Sequence, residues 1–429
     1  MSASDTPDVV VVGAGAAGLW ASIAAARRGA RVLVLEKTPR TGTKILASGG
    51  TRCNLTTTLD AAGAGRLFGP QGERFLRPAL SALTPRDVVT SFEALGVPCE
   101  EAPLEKIFPK SQRAKDVRDA LERAARAAGV EFRFEQRVTE VRTTNAGYEL
   151  TVEGDSSVNA VRVLLCPGGQ SYPGSGTTGD GYAWLQALEL TLVAPVPALA
   201  PLSSPERWVH ELTGLAVQDA EVRLVDGAGK TRLRRARPVL FTHRGLSGPG
   251  AMDVSGLVAR ERHDAIAAGA APPSFELSID LAVERERDEL RDAMIQGASA
   301  SGTQRVAKAL GGLLPRRLVE AACSAADLRP NPPCRDLTKA SRHALVEALK
   351  GLRVPIDGTL GFDQAEVTRG GLSLREVNPR TMEVNRYPGL YVFGELLDVD
   401  GPIGGLNFQA AFATAELAAR HATRELDGA

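Results

Sequence analysis

Asp8-Val9-Val10-Val11-Val12-Gly13-Ala14-Gly15-Ala16-Ala17-Gly18 reads as a buried strand running straight into a tight glycine turn. An Ala-rich helix to Arg28 follows, Gly29 stands where a helix-ending glycine is expected, and Arg31 to Glu36 reads as a second strand. In a G-x-G-x-x-G placed between strand and helix, each glycine has a physical task. Gly13 permits the turn, Gly15 lets backbone N–H groups approach a pyrophosphate, and Gly18 allows close helix–strand packing. The helix N-terminus, with Ala16 and Ala17 in its first turn, stabilises the anion. Glu36 closes the second strand 18 residues after Gly18, placed to accept hydrogen bonds from a ribose 2′-hydroxyl. The stretch therefore predicts a Rossmann βαβ unit for the adenosine half of a dinucleotide, and by itself it does not separate FAD from NAD.

A chain of 429 residues exceeds one ordinary core, so two or three domains are expected, one of them interrupted by another. The 51 basic and 51 acidic side chains balance, which leaves no electrostatic footprint for nucleic acid or an anionic membrane. Cys53, Cys99, Cys166, Cys323 and Cys334 contain no C-x-x-C pair, so neither a zinc site nor a disulfide framework is indicated and no metal is expected. The run Val9 to Val12 is far shorter than the roughly 20 residues of a membrane helix, and no signal-like segment precedes it. A soluble, cytoplasmic protein is the expectation.

Further along, Lys115 to Ala128 reads as a helix, and short strands around Val130–Val141 and Tyr148–Val152 suggest a β-meander leading to Val161–Cys166. A proline-rich linker from Pro195 to Pro205 precedes alternating segments such as Ala220–Val225 and Pro238–Thr242, which suggest an all-β insertion. Residues 284–350 turn helical in pattern. Strand signals return at Val367–Leu374, Met382–Asn385 and Leu390–Phe393, before a glycine-rich loop and a last helix, Gln409 to Arg424. The expected boundaries are a first FAD-binding segment 1–192, a β-rich insertion 193–283, its helical subdomain 284–355, and a second FAD-binding segment 356–429.

Two glycine-rich regions carry the case for flavin. Gly42-Thr-Lys44-Ile-Leu-Ala-Ser48-Gly49-Gly50-Thr51-Arg52-Cys53-Asn54 follows the second strand and offers small residues where an extended ligand can lie against backbone. Near the C-terminus, Phe393-Gly394-Glu395 ends a strand, and Asp400-Gly401-Pro402-Ile403-Gly404-Gly405-Leu406-Asn407-Phe408-Gln409 leads into the last helix. The N–H groups of that helix end are placed to face a flavin N1–C2=O edge and to stabilise the charge of reduced flavin.

At these residues the sequence resembles the BaiN-like or YhiN-like bacterial flavoproteins, also called the aminoacetone oxidase family, NAD(P)/FAD-dependent oxidoreductases. The resemblance covers nearly the whole chain. It also rests on Phe108-Pro109-Lys110-Ser111, Pro167-Gly168-Gly169 through Gly181, Phe241-Thr242-His243-Arg244-Gly245-Leu246-Ser247-Gly248-Pro249, Val367-Thr-Arg-Gly370-Gly371, and Gly394-Glu395-Leu-Leu-Asp398-Val-Asp400-Gly401. It implies an α/β fold with a discontinuous Rossmann-type FAD-binding domain of glutathione-reductase-like topology, a β-barrel-like inserted domain and a small helical subdomain. Thr51 departs from the family, standing where a third glycine is usual, and Asn385-Arg386 replaces a common Ser-Lys. The expected cofactor-binding set is Gly13, Gly15, Ala16, Ala17, Gly18, Glu36, Lys37, Lys44, Ser48, Gly49, Gly50, Arg52, Cys53, Asn54 and Val138, joined by Pro167, Gly168, Gly169, Gly394, Glu395, Asp400, Gly404, Gly405, Leu406, Asn407 and Phe408.

Other patterns are read more plainly. Gly174-Ser-Gly176-Thr-Thr-Gly179 repeats the glycine spacing but follows Pro173 rather than a strand, so it reads as a loop and any NAD(P)H docks without its own Rossmann domain. Cys53 lacks a neighbouring thiol for disulfide chemistry and reads as a packed thiol. Arg232-Leu-Arg234-Arg235-Ala-Arg237 reads as a solvated strand face. His243 and Arg244 are equally compatible with a substrate-facing role and with a hydrogen-bonded structural histidine. The leading expectation is an FAD-dependent oxidoreductase acting on a small-molecule substrate, with oxygen or NAD(P)H as electron partner and no nucleic acid or membrane partner. A flavin-containing RNA-modification or nucleic-acid-binding protein, and a flavoprotein that serves as an interaction module without turnover, are the alternatives. No catalytic dyad is legible.

Overall fold

In the computed structural model, residues 7–154, 156–300 and 303–424 are described. The chain divides into two compact units, one made of residues up to Val196 together with Glu366 onward, the other of Pro197–Ala365. Each has its own apolar core.

The first unit is built on five parallel strands: β1 (Val9–Val12), β2 (Val32–Leu35), β3 (Glu131–Arg133), β4 (Arg162–Leu165) and β5 (Leu390–Val392). Their order across the sheet is β5-β4-β1-β2-β3, the doubly wound order of dinucleotide-binding folds. The unbroken apolar runs of β1, β2 and β4 follow from burial on both faces, and the four valines of β1 are at most 4% exposed. Val163 of β4 pairs with Leu390 of β5, so segments far apart in the chain share one sheet. Helix α1 (Ala16–Ala26) packs against the last helix, α2 (Leu406–Ala422), where Trp20 and Phe412 bring their ring centroids to 5.0 Å. The Trp20 indole also donates to the Glu416 carboxylate at 2.9 Å.

Several boundaries differ from the sequence reading. Glu131–Arg133 joins the parallel sheet as its edge, and the meander consists of Val138–Thr144, Gly147–Val152 and Ser156–Ala160. Met382–Asn385 forms only isolated bridges, because Met382 adopts φ +64° and breaks the strand. The last helix begins at Leu406 rather than Gln409, since left-handed Gly405 already turns the chain into it.

In the second unit the β-barrel-like insertion takes the form of two sheets, of five and four strands. It is not all-β: Pro249–Ala267 is a 19-residue helix. Pro249 occupies the first helical turn, where its missing N–H is harmless, and Ala251, Val254 and Val258 enter the core. The helices Arg287–Ala300, Arg316–Ala325 and Lys339–Lys350 contribute to that same core, so the helical stretch and the strands are one packed body.

Candidate functional site

The turn between β1 and α1 divides its glycines by role. A Cβ on Gly13, whose φ is +103°, would stand 2.8 Å from the Cys166 carbonyl oxygen, and one on Gly18 would stand 1.9 Å from the Gly13 carbonyl oxygen. These two are demanded by packing. A Cβ on Gly15 would meet nothing within 4 Å. No side chain caps α1 at Gly15, so the first-turn N–H groups at Ala16, Ala17 and Gly18 present an open helix end over free space. That cradle fits a diphosphate.

Glu36 is 9% exposed at the end of β2. One oxygen accepts from Ala14 N at 2.6 Å, and the other from Thr38 N and Oγ1, each at 2.8 Å. The carboxylate is therefore fixed by its own turn, and the oxygen that accepts from Ala14 keeps a second lone pair for a ribose hydroxyl. Val138, buried at the start of its strand, follows Gln136, whose N–H donates to the Glu36 carbonyl at 3.0 Å. Lys37 turns instead to Asp180 at 2.7 Å and Thr178 at 2.6 Å, with Arg137 also on Asp180.

Residues 48–54 form a left-handed loop. Ser48 is extended, and Gly49, Gly50, Thr51 and Cys53 have φ of +55°, +65°, +69° and +63°. The position where Thr51 departs from the family is thus one whose backbone favours glycine. Cys53 donates its N–H to the Ser48 carbonyl at 3.1 Å and is fully buried, and burial pushes its thiol up to about 12. Such a thiol is unreactive, in line with a packing role. The Arg52 guanidinium lies over the Phe108 ring at 4.8 Å, and Asn54 Oδ1 accepts from Ile107 N at 3.2 Å.

Four segments converge at one polar cluster. Lys44 Nζ donates to Glu395 Oε2 and to Ser171 Oγ, both at 2.6 Å. Glu395 Oε1 accepts from Ser171 Oγ at 2.6 Å and from Thr368 N at 2.8 Å, while Thr368 Oγ1 accepts from Gln170 N and Ser171 N. Gly169 sits against this cluster: a Cβ there would come within 2.5 Å of Thr368 Oγ1. Pro167 and Gly168 lead into it from β4, with Gly168 at φ +86°. Ser171 and Thr368 had not been singled out from sequence. Both lie inside motifs quoted above, and that was the signal available.

Glu395 also lines a small cleft of about 40 Å³ with Gly394, Val367, Leu76, Asn407 and Thr414. The cleft abuts the start of α2, whose first turn has no side-chain cap. Gly394 donates its N–H to Thr414 Oγ1 at 3.2 Å. Asn407 pairs with Gly401 through both amide groups, Oδ1 accepting from Gly401 N and Nδ2 donating to Gly401 O, each at 2.9 Å. It therefore positions the loop. Asp400 faces Arg369 at 3.7 Å. Leu406 is buried and Phe408 stacks on Phe412 at 5.8 Å, so both serve the core. The two adjacent glycines differ: a Cβ on Gly405 would stand 2.1 Å from the Thr56 carbonyl oxygen, whereas one on Gly404 would have Leu104 O at 4.0 Å as its nearest neighbour. Gly405 is thus a close backbone approach, and Gly404 borders open space.

The five cysteines are free and buried. Among the described residues no group of three or more His, Cys, Asp or Glu is placed to hold a metal, and no helix is long and apolar enough to cross a membrane. In the second unit His243 and Arg244 are exposed at a hairpin tip.

The family model described as HI0933-like protein Rossmann domain matches residues 7–421. The ribosomal RNA dihydrouridine synthase of Escherichia coli (strain K12) is 31% identical over 95% of this chain and 96% of its own. The 3-dehydro-bile acid delta(4,6)-reductase of Clostridium scindens is 31% identical over 96% of this chain and 98% of its own. Among solved structures, 3-ketosteroid-delta4-(5alpha)-dehydrogenase from Rhodococcus jostii RHA1 superposes with a TM-score of 0.52 at 17% identity, covering 97% of each chain. At that identity the likeness is one of fold.

Proposed function

The chain belongs to the HI0933-like Rossmann-domain family and is an FAD-dependent oxidoreductase, and from that premise we propose that it reduces a carbon–carbon double bond conjugated to a carbonyl group, with NAD(P)H as electron donor. One observation carries the reaction type. Two relatives of equal identity have names for different substrates, yet each name describes saturation of a double bond conjugated to a carbonyl, in a uracil ring and in a 3-oxo steroid nucleus.

FAD bound here supplies a two-electron carrier between donor and substrate. The chain's own residues bind and orient it. The open end of α1 at Gly15 takes the diphosphate, and Glu36, fixed by Ala14 and Thr38, takes a ribose hydroxyl. The uncapped first turn of α2, held in place by the Asn407–Gly401 pairing, presents partial positive charge to the cleft. The loop 48–54 and the strand end at Val138 complete the proposed binding surface.

The test is anaerobic. FAD-loaded protein is mixed with NADH or NADPH, then with a panel of conjugated enones, while visible absorbance is followed. Bleaching by the nicotinamide and recovery on adding an enone support the reading. Bleaching by amines alone, with recovery only on admitting oxygen, would replace it with an oxidase. A uridine-containing ribosomal RNA fragment belongs in the panel, because the name of the Escherichia coli relative favours RNA as the acceptor.

A further inference from the structure

The ion pair between Lys44 and Glu395 is half-buried, its side chains 27% and 20% exposed, and it joins chain segments 351 residues apart. Removing two charges from water is not repaid by their attraction unless geometry and further hydrogen bonds are good, so such pairs are weak devices for stability. Here the carboxylate accepts three hydrogen bonds. Ser171 Oγ and Thr368 N hold one oxygen, Lys44 the other, and Gly169 lacks the side chain that would collide with this arrangement. The ammonium is not saturated: two of its three N–H groups go to Glu395 and Ser171, and the third meets no partner among the described residues. Glu395 is one of the residues that line the cleft at the start of α2. A cation with an uncommitted donor is therefore held 2.6 Å from the carboxylate of a cleft-lining residue.

Resting on the flavin reading above, we propose that Lys44 is a fixed positive charge that raises the reduction potential of the bound flavin, with Glu395 a positioning residue that orients the ammonium and partly offsets its charge. Reduced flavin carries more negative charge than oxidised flavin at neutral pH, so a fixed cation favours the reduced form. Removing the cation lowers the potential, and neutralising its partner raises it.

The experiment is a dye-coupled potential titration of FAD-loaded wild type, Lys44→Met, Lys44→Arg and Glu395→Gln, with FAD affinity and melting temperature measured on the same preparations. Lys44→Met is expected to lower the reduced-to-oxidised ratio at a fixed potential about tenfold, which for a two-electron couple is about 30 mV. Lys44→Arg, which keeps the charge, stays close to wild type, and Glu395→Gln shifts the opposite way. A purely structural pair would lower melting temperature and FAD affinity and leave the potential unmoved, and that result overturns the proposal. So does an equal shift in Lys44→Met and Lys44→Arg. Should the Lys44 variants fail to fold, the sign of the Glu395→Gln shift decides. A wild type that takes up no FAD overturns the flavin reading, and this one with it, whereas normal FAD binding with unmoved potentials overturns this one alone.

Discussion

Gly405 and Thr56 approach so closely that a Cβ on the glycine would overlap the Thr56 carbonyl, at 2.1 Å from its oxygen and 2.5 Å from its carbon. Just beyond, Thr56 Oγ1 donates to Gln409 Oε1 at 2.7 Å and Gln409 Nε2 donates to the Leu83 carbonyl at 2.7 Å. The glycine therefore docks the start of α2 onto the strand Thr56–Thr57, with backbone too near for any side chain.

Gly405→Ala is accordingly expected to lower stability by about 2–4 kcal/mol, combining the left-handed backbone penalty with overpacking. Gly404→Ala, with open space at its Cβ, is expected to lose about half of that, from its positive φ alone. Urea denaturation of both variants checks the ranking, and equal losses would contradict the assignment of roles.

Thr51 holds φ +69° with a β-branched side chain. Thr51→Gly should raise stability by about 1 kcal/mol, since glycine adopts this conformation without the steric penalty. A chemical denaturation midpoint that fails to rise would show that side-chain contacts offset the strain.

Glu416 accepts from Trp20 and pairs with Arg28 and Arg420. Burial pushes its carboxyl upward, but the hydrogen bonds from Arg420 and Trp20 and the charge of Arg28 prevail and hold it below the usual range. A lowered folded pKa contributes stability above the unfolded value near 4.3, and that contribution is lost as pH falls through the folded value. Glu416→Gln should therefore lose about 1–2 kcal/mol at pH 7 and progressively less below about pH 4. A pH-independent difference would refute the linkage.

The thiols give a simple chemical readout. Burial pushes Cys99 up to about 11 and Cys53 up to about 12, and it raises Cys166, Cys323 and Cys334 as well. Native protein at pH 8 should resist a thiol reagent and react at all five positions once unfolded. Rapid labelling of Cys53 in the native state would contradict its assignment as packing.

The fingerprint from Val9 to Glu36 was legible because turn, helix and acid fall at spacings that local geometry dictates. The resemblance also implied a discontinuous domain holding both Val161–Cys166 and Leu390–Phe393, while the direct pairing of β4 with β5 is legible only in the structure. The helix Pro249–Ala267 was missed because short strand signals on either side set the expectation, although Gly248-Pro249 marks a helix start. The first turn of α2, Leu406 to Phe408, precedes the Ala-rich run that marks the helix in sequence, and its start at Leu406 is set by the left-handed backbone of Gly405. Ser171 and Thr368, 197 residues apart, meet only in the folded chain. No periodicity announces such a contact. The left-handed backbone of residues 49–53 likewise becomes visible only from φ, though the family's glycine at the Thr51 position hints at it.

The central claim is that Gly15 is held open for a diphosphate while Gly13 and Gly18 are closed by packing, and Gly15→Val tests it most directly. Purified variant and wild type are reconstituted with FAD, melted, and the flavin released on denaturation is identified and counted. Wild type should release FAD rather than FMN, and Gly15→Val should lose no more than about 1 kcal/mol of stability while retaining almost no flavin. Near-native FAD content in a folded Gly15→Val variant, or FMN from the wild type, would contradict the account.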